Sequence, residues 1–437
     1  MLVNPLLALR EINLLCDTGD IAVFCHGTGS WLTDESKPLF DSWKESRAAC
    51  GLKFCDITGT VQPENAGISP SLSALFRSVT VRNTDPCVMI FTSGSTGVPK
   101  GVMLSAGSVL AAADHVKYAV TFREDDIFCQ VLPAFHVFGL NGAMAAFLNN
   151  CLLVIVSRLK PDVVLDTIEK NRCTLMASVP TLLLGIVSLP SFTVQKTASV
   201  RAVMLGGAPV SKQQLAFLQT CFVNSAWCVA YGLSEACLVS ISMENDDVGK
   251  VASTVGKCVS GSSVRIEDME TGKECPVGKI GEILTAGIFL MSGYYKSSEN
   301  RMDKNGWLHT GDLGFLDADG YVHLAGRKKE IIIRGGENIF PAEIAKAASS
   351  YPAVSGVQVI GIPDAYYGEA VGCALMVPHA ESFDCDAFLN HMRGRLSPYK
   401  IPAVVTVHNS FPLLATGKPD IPALKNELAA AMRAGSR

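Results

Sequence analysis

A glycine- and hydroxyl-rich stretch at residues 91–101, FTSGSTGVPKG, is the feature that most constrains this chain. It follows an apolar run, residues 87–90, that predicts a buried strand. Gly94 and Gly97 allow tight turns that expose successive backbone N–H groups, and Lys100 adds a mobile positive charge. Further hydroxyl donors come from Thr92, Ser93, Ser95 and Thr96. Such a nest of donors binds anions, so the stretch predicts a polyphosphate site; the alternative is a polar surface loop.

The composition excludes several classes of protein. The chain has 437 residues, of which 48% are apolar and 18% charged, as expected for a compact soluble protein of two or more domains. A net charge of -4 gives no basic footprint for nucleic acid. The 15 cysteines include no C-x-x-C pair, which predicts free thiols in the cytoplasm and no zinc site. No stretch approaches the ~20 apolar residues of a membrane span, and the N-terminus makes a poor signal peptide.

The pattern of apolar runs predicts the organisation of the chain. Strand–helix alternation over residues 150–205 predicts a mostly parallel sheet with helices on its faces. Short strands and glycine-rich turns from residue 251 onward predict a small antiparallel or barrel-like unit. The charged cluster at 326–330 predicts a boundary, beyond which a small α+β unit follows.

Four further segments contain residues that could bind a ligand or take part in catalysis. In PAFHVFG (133–139), His136 is either a packed core residue or the gate of a pocket for an organic substrate. In YGLSE (231–235), the Tyr could flank a base, the Ser could donate to a phosphate and the Glu could hold Mg²⁺; the alternative is a surface turn. Asp312 suits vicinal ribose hydroxyls or a structural turn, and Lys418 stands on a tight loop that is ordinarily exposed to solvent.

Taken together, these motifs resemble the adenylate-forming superfamily of acyl- and aryl-CoA synthetases, firefly luciferase and peptide-synthetase adenylation domains. The resemblance runs from about residue 51 to the C-terminus. Besides the segments above, its motifs are GGAP (206–209), GEILTAG (281–287), WLHTGDLG (307–314), GRKKEIIIRGGENIFPAEI (326–344) and TGK (416–418). The family activates a carboxylate with ATP–Mg as acyl-AMP and then transfers the acyl group to a thiol, usually that of CoA.

The resemblance assigns roles to the candidate residues. It implies a catalytic set of Lys418, Ser234, Glu235 and His136, in which Lys418 bridges the incoming carboxylate and the α-phosphate and Glu235 holds Mg²⁺. Catalysis would be positioning and charge neutralisation around phosphorus. The implied ATP- and AMP-binding residues are Thr92, Ser93, Gly94, Ser95, Thr96, Gly97, Lys100, Gly206, Gly207, Ala208, Tyr231, Gly232, Asp312 and Arg327.

The resemblance also implies a fold and a moving domain. A large α/β domain of stacked sheets would span residues 1–326, including a barrel-like unit at about 250–325, and a small mobile α+β domain would span 329–437. Lys329 matches the hinge, and the segment lining the pantetheine tunnel matches Gly335, Gly336 and Glu337. Rotation of the small domain would withdraw Lys418 between the two half-reactions.

Two departures from the family pattern stand out. Position 234 is usually threonine, and Ser234 keeps the hydroxyl. The segment ahead of the phosphate loop is shorter than usual, so we expect the early helices and strands to be missing or reduced. The wall of the acyl pocket would then be altered or supplied by a partner.

The resemblance also narrows the substrate. Amino-acid-activating members place an aspartate where this chain has His136, so we expect an acid without an α-amino group. The predicted pocket, apolar and suited to an aromatic or medium-length acyl chain, comprises Phe135, His136, Val137, Phe138, Met204, Cys237 and Leu238.

Three interpretations of the function remain open, together with a luciferase-like oxygenase for which the sequence gives no positive sign. The leading one is an acyl- or aryl-acid:CoA ligase using ATP, Mg²⁺ and CoA. The second loads the acid onto the pantetheine of a carrier protein, and the third is a binding regulator on an enzyme scaffold. The presence of Lys100, Glu235 and Lys418 argues against the third. A homodimer is a further expectation.

Overall fold

The computed structural model describes most of the chain after residue 79. The described residues are 80–92, 100–156, 158–208, 210–378, 380–412 and 419–435, with the backbone of 23–26 and 53–56. Among these residues, no helix has the length and apolarity needed to cross a bilayer.

The described residues divide into two compact units. The first contains the residues up to Ser263 together with Thr285–Leu308. The second contains Val264–Leu284 and the residues from His309 onward. This division groups residues 309–326 with the C-terminal part, whereas the sequence assigns them to the large domain; a domain boundary and hinge near residue 329 therefore remain a prediction.

The first unit contains three sheets. Strands β1 and β2 pair in parallel, β14, β4 and β3 form a second sheet in that order, and the third has the order β11-β10-β9-β8-β7-β5-β6. The strands are β1 (Val23–His26), β2 (Lys53–Asp56), β3 (Pro86–Thr92), β4 (Lys100–Ser105), β5 (Ile127–Gln130), β6 (Leu152–Ile155), β7 (Leu175–Ser178), β8 (Ala202–Leu205), β9 (Ala226–Leu233), β10 (Ala236–Ile241), β11 (Lys257–Cys258) and β14 (Gly293–Tyr294).

Helices connect the strands of this unit. They are α1 (Ala106–Ala119), α2 (Val137–Leu148), α3 (Pro161–Asn171), α4 (Pro180–Val187), α5 (Val194–Thr197), α6 (Lys212–Cys221) and α7 (Val248–Ser253). Their starts follow from sequence: Ser105 caps α1 by accepting the Ser108 N–H, and Ser211 forms a reciprocal capping box with Gln214 at α6. Proline at the first turn begins α3 and α4.

The strand order of the large sheet determines where a ligand can bind. Strands β6, β5, β7, β8 and β9 run parallel, which confirms the predicted mostly parallel sheet. The chain leaves β5 for the edge strand β6 and returns on the other side of β5 as β7, so the direction of winding switches between β5 and β7. In open α/β sheets, ligands bind at the carboxyl ends of the strands near such a switch point.

The second unit is α+β. Its strands are β12 (Ser262–Glu267), β13 (Gly281–Gly287), β15 (Leu308–Leu316), β16 (Val322–Arg327), β17 (Ile332–Arg334), β18 (Glu337–Ile339), β19 (Gly356–Asp364), β20 (Gly368–Met376) and β21 (Val404–His408), with a few end residues of β12, β13 and β15 in the first unit. The first four form one sheet of order β12-β13-β15-β16. The others form a second sheet of order β18-β17-β20-β19, with β21 parallel to β20.

Helices cover both faces of this second sheet. They are α8 (Pro341–Ser349), α9 (Cys385–Arg393) and α10 (Ile421–Arg433). Phe388 and Met392 of α9 pack with Ile344 of α8 in one core, while Leu424 and Leu428 of α10 pack in another. Buried residues of β20 point alternately into the two cores. The mixed α/β class predicted from the sequence is confirmed.

Candidate active site

Strands β3 and β4 form an antiparallel hairpin around the glycine- and hydroxyl-rich stretch. Thr92 and Lys100 are direct partners in this ladder, so the two ends of the stretch lie side by side. Ser93, Gly94, Ser95, Thr96 and Gly97, and likewise Lys418, lie outside the described residues. Their predicted phosphate and catalytic roles remain predictions.

The Lys100 side chain lies beside the next strand of the same sheet. Its Nζ is 2.5 Å from Oε2 of Glu299 and 5.7 Å from the centre of the Tyr294 ring. Tyr294 belongs to β14, which pairs with β4 in register Tyr294↔Val102. The sheet therefore positions a cation and a buried phenol together.

Glu235 is held at the tip of the β9–β10 hairpin. Ser234 and Glu235 form the two-residue turn, because Leu233 and Ala236 are paired. The Glu235 carboxylate is buried, and its Oε1 accepts hydrogen bonds from the Tyr294 hydroxyl at 2.7 Å and from Nη1 of Arg301 at 3.1 Å. Its Oε2 accepts no hydrogen bond from the described residues.

Burial, together with the hydrogen bond to the Glu235 carboxylate, raises the pKa of Tyr294. The phenol therefore remains a proton donor to Glu235 throughout the neutral pH range. This fixes the orientation of the carboxylate and, among the described residues, leaves Oε2 as the oxygen open to another ligand.

The donor set around Glu235 fits a magnesium ion that is held largely by its substrate. Mg²⁺ is commonly bound by one or two carboxylates together with substrate phosphates and water. Within the described part of the chain, no group of three or more His, Cys, Asp or Glu side chains is arranged to hold a metal. A single hard oxygen on Glu235, beside the half-buried Ser234, matches this mode.

The carboxyl ends of the parallel strands bring together residues that are distant in sequence. A Cβ on Gly206, after β8, would lie 2.7 Å from Cε1 of Phe138, after β5. A Cβ on Gly207, where φ is +73°, would lie 3.5 Å from Val179, after β7. Gly206 thus lets the Phe138 ring pack directly against the backbone at the switch point.

The remaining predicted pocket residues occupy different environments. His136 is exposed at the start of α2, with its ring 4.6 Å from that of the half-buried Phe135. Val137 is buried, and Met204 is one of the residues that line a void of about 10 Å³, which is too small for an acyl chain.

Cys237 and Leu238 of β10 are buried. Burial raises the pKa of the Cys237 thiol to about 12, so this side chain stays neutral. Tyr231 is buried in β9, and a Cβ on Gly232 would approach the Cys237 carbonyl oxygen to 2.8 Å. Ala208 is exposed after β8. The roles of all these residues remain predictions.

In the second unit, the two predicted ribose-binding residues are adjacent. Asp312 and Arg327 are ladder partners on β15 and β16, and the Arg327 Nε lies 3.3 Å from Oδ1 of Asp312. The carboxylate is mostly buried and the guanidinium mostly exposed. The pair can present one acceptor and one donor to a diol.

Glu282 supports the segment that carries Asp312. Its buried carboxylate accepts hydrogen bonds from the Gly311 N–H at 3.2 Å and from Nζ of Lys328 at 2.9 Å, and Nδ1 of His309 is 3.3 Å away. Burial alone would raise the pKa of Glu282, but Lys328 and His309 outweigh it and hold the pKa below its ordinary value.

The predicted hinge and pantetheine residues lie at the surface of the second unit. Lys329 is exposed in a short 3₁₀ turn after β16. Gly335 and Gly336, with φ of +59° and +88°, form the two-residue turn between β17 and β18, and Glu337 is the first residue of β18. A two-residue hairpin turn with positive φ at both positions favours glycine at each of them.

Sequence reasoning missed Tyr294, Glu299 and Arg301 in the first unit and Glu282 in the second. The available signals were a Gly-Tyr pair before a charged segment and a lone glutamate inside the apolar GEILTAG strand. Neither signal identifies a partner, because every contact joins residues that are far apart in the sequence.

Comparison with known proteins decides the family. The profile of the AMP-binding enzyme family matches residues 3–295, and the profile of the AMP-binding enzyme C-terminal domain matches residues 343–418. This chain belongs to the AMP-binding enzyme family. The resemblance inferred from the motifs is thereby confirmed.

Three relatives of this AMP-binding enzyme illustrate the match. The putative acyl-CoA synthetase YngI of Bacillus subtilis (strain 168) is 33% identical over 335 residues, 76% of this chain and 61% of that protein. Feruloyl-CoA synthase of Amycolatopsis sp. is 34% identical over 340 residues, 76% of this chain and 68% of that protein. The ATP-bound crystal structure of MatB from Rhodopseudomonas palustris superposes with a TM-score of 0.83 at 25% identity, covering 98% of this chain and 84% of that one.

The first two relatives are longer than the segment they share with this chain. The match spans 61% of YngI and 68% of feruloyl-CoA synthase. The activity, substrates and partners of the whole protein therefore stay proposals.

Proposed function

We propose that this AMP-binding enzyme activates a carboxylic acid with ATP as an acyl-adenylate and then transfers the acyl group to the thiol of CoA. The products are acyl-CoA, AMP and pyrophosphate. The observation that carries the proposal is the buried Glu235 carboxylate, whose Oε2 accepts no hydrogen bond from the described residues while Arg301 and Lys100 stand around the same tyrosine.

The residues present match the demands of the first half-reaction. A carboxylate is a weak nucleophile that must approach a polyanion, so catalysis depends on position and on compensating charge. Lys100 and the stretch ending at it would bind the terminal phosphates, Ser234 would donate to the α-phosphate, and Asp312 with Arg327 would bind the ribose. Lys418 would bridge the two reacting anions. A magnesium ion bound at Glu235 would supply neutralisation of phosphate charge.

The residues at the carboxyl ends of the parallel strands indicate the class of organic substrate. Phe138 beside Gly206 offers an apolar ring and His136 offers no carboxylate for an ammonium group. We therefore propose an aromatic or medium-chain acid without an α-amino group. Feruloyl-CoA synthase and indoleacetate–CoA ligase, two relatives at 34% and 32% identity, are named for aryl acids.

A panel of carboxylic acids assayed for AMP release, with and without CoA, tests the proposal. We expect release with an aryl or medium-chain acid that rises when CoA is added. Release stimulated by a phosphopantetheinylated carrier protein but not by CoA would favour carrier loading. Activity with amino acids alone would refute the substrate class, and no acid-dependent release would refute the function.

A further inference from the structure

Arg301 contacts the very carboxylate that the proposed function assigns to magnesium. Its Nη1 lies 3.1 Å from Oε1 of Glu235, the oxygen that also accepts the Tyr294 hydroxyl. The side chain of Glu235 is 10% exposed, whereas that of Arg301 is 28% exposed. The carboxylate is therefore the more deeply buried partner, and part of the Arg301 side chain faces solvent.

A metal ion on Glu235 and the guanidinium beside it are in conflict. A divalent cation bound at Oε2 would stand within a few ångströms of the positive charge on Arg301, and like charges at that distance repel. Tyr294 can keep its hydrogen bond to Oε1 because a hydroxyl carries no charge. Of the two donors to Oε1, it is Arg301 that has an electrostatic reason to leave when the metal arrives.

The local charges indicate where Arg301 would go. Arg301 faces Glu235 and Lys100 faces Glu299, so these two cations and two carboxylates around Tyr294 cancel formally. A bound triphosphate adds negative charge at the start of β4, where Lys100 lies. The planar guanidinium suits bidentate binding of phosphate oxygens, so this new charge offers it a partner in place of Glu235.

We propose that Arg301 is a phosphate-binding residue of this chain that exchanges partners, holding Glu235 when no nucleotide is bound and moving to the terminal phosphates of ATP when metal occupies Glu235. The exchange keeps a buried carboxylate compensated in both states. It rests on the proposed function, since it assumes that a metal–triphosphate complex binds at this cluster.

Binding of inorganic pyrophosphate to the full chain at saturating Mg²⁺ tests the exchange without any turnover. We compare the wild type with Arg301→Met, Arg301→Lys and, as a matched control, Arg82→Met, which removes an exposed arginine paired with Asp85 in the same unit. We expect Arg301→Met to bind at least tenfold more weakly than the wild type, Arg301→Lys to fall between them and Arg82→Met to match the wild type. Equal affinity of Arg301→Met and the wild type would overturn the proposal, because it would show that Arg301 does not contact the phosphates.

The neighbouring carboxylate provides a second test with the opposite sign. Glu235→Gln removes the carboxylate charge that attracts Arg301, so we expect this variant to bind pyrophosphate in EDTA more tightly than the wild type. The Arg301→Met change should then weaken pyrophosphate binding more in the Glu235→Gln background than in the wild-type background. In the double variant both charges of the pair are absent. An equal or smaller loss would overturn the exchange.

A third measurement separates this inference from the proposed function. In the wild type, ATP binding should tighten as Mg²⁺ is added. The advantage of the wild type over Arg301→Met in ATP affinity should be larger with Mg²⁺ than in EDTA, because Arg301 leaves Glu235 only when metal is bound. If the wild type bound neither ATP nor pyrophosphate, the proposed function would fail. If it bound both and Arg301→Met behaved identically, only the exchange would fail.

Discussion

The hydroxyl of Tyr294 donates a 2.7 Å hydrogen bond to Oε1 of Glu235, joining the β14-β4-β3 sheet of the first unit to the tip of the β9–β10 hairpin. The two residues are 59 positions apart in sequence. Tyr294 is on β14, which pairs with β4, and β4 begins at Lys100. The Tyr294 side chain therefore lies between Lys100, proposed to bind phosphate, and Glu235, proposed to bind the metal.

Removal of this hydroxyl should loosen the metal ligand. In Tyr294→Phe the ring stays and Glu235 loses a neutral donor, so its carboxylate should be less well oriented. A hydrogen bond of this kind contributes about 1 kcal/mol, which is roughly fivefold in affinity. We expect the half-saturating Mg²⁺ concentration of ATP–pyrophosphate exchange to rise by about that factor. An unchanged Mg²⁺ requirement would show that Tyr294 does not orient Glu235; Tyr118→Phe, an exposed tyrosine in the same unit, is the control.

Adding a methyl group at Gly206 should disturb Phe138, a residue of the predicted acyl pocket. In Gly206→Ala the new Cβ would meet Cε1 of Phe138 at 2.7 Å and the Ala230 carbonyl oxygen at 3.1 Å, so the ring must shift. We expect kcat/KM for the acid to fall by at least about tenfold, the effect of roughly 1.4 kcal/mol. Gly394→Ala, whose Cβ would make only ordinary contacts, is the control. An unchanged kcat/KM for the acid would show that the acid does not bind beside Gly206.

The adjacent Asp312 and Arg327 predict discrimination of the ribose. If Asp312 accepts the diol hydroxyls, the wild type should bind ATP more tightly than 2′,3′-dideoxy-ATP. Asp312→Ala should lose affinity for ATP by about tenfold or more, as expected for hydrogen bonds to a charged group, while its affinity for the dideoxy analogue stays the same. Equal losses for both nucleotides would refute a diol contact. Asp319→Ala, in the exposed turn after β15, serves as the control.

A buried ion pair should govern stability of the first unit in acid. Asp126 is 2% exposed and accepts from Arg201 and from Thr174. Burial raises the pKa of Asp126, but the hydrogen bonds from Arg201 and Thr174 outweigh it, so the folded-state pKa lies below the ordinary 3.8. A depressed folded pKa gives stability that is present above 3.8 and is lost as the pH falls through the folded pKa.

Variants of this pair make the effect measurable by urea unfolding. Arg201→Met leaves a buried carboxylate without its cation and should cost about 3–5 kcal/mol at pH 7. Asp126→Asn should be less stable than the wild type at pH 7, and the difference should shrink as the pH is lowered below 3.8. A difference that is constant with pH would show that the Asp126 charge is not the cause. Asp85→Asn, whose partner Arg82 is 77% exposed, should change little.

Local patterns predicted those parts of the fold that depend on local sequence. The run before Thr92, the alternation over residues 150–205 and the glycines after β8 each mark a strand and the turn or helix next to it, because burial and turn chemistry act over a few residues. The family resemblance placed Glu235 and Asp312 in a site for the same reason: each stands in a short motif. The structure locates these residues on hairpins and strands, as such motifs require.

The partners of those residues could not be predicted in this way. Tyr294 lies near Glu235 because the segment just before β14 pairs with the start of β10, where the Met291 N–H donates to the Glu235 carbonyl oxygen, and nothing in the local sequence specifies that contact. Glu282 is one polar residue in an apolar strand until β15 brings Gly311 and His309 beside it. The partners of these site residues are therefore set by contacts between distant segments of the chain.

Isotope exchange of pyrophosphate into ATP, measured with an accepted carboxylic acid in the wild type and in Glu235→Gln, shows whether Glu235 takes part in acid activation. We expect exchange in the wild type only when the acid is present. Replacing Glu235 should reduce it by about a hundredfold at ordinary Mg²⁺, as for loss of one group that stabilises charge in the transition state. Exchange in Glu235→Gln at the wild-type rate would mean that this carboxylate does not organise the activation of the acid.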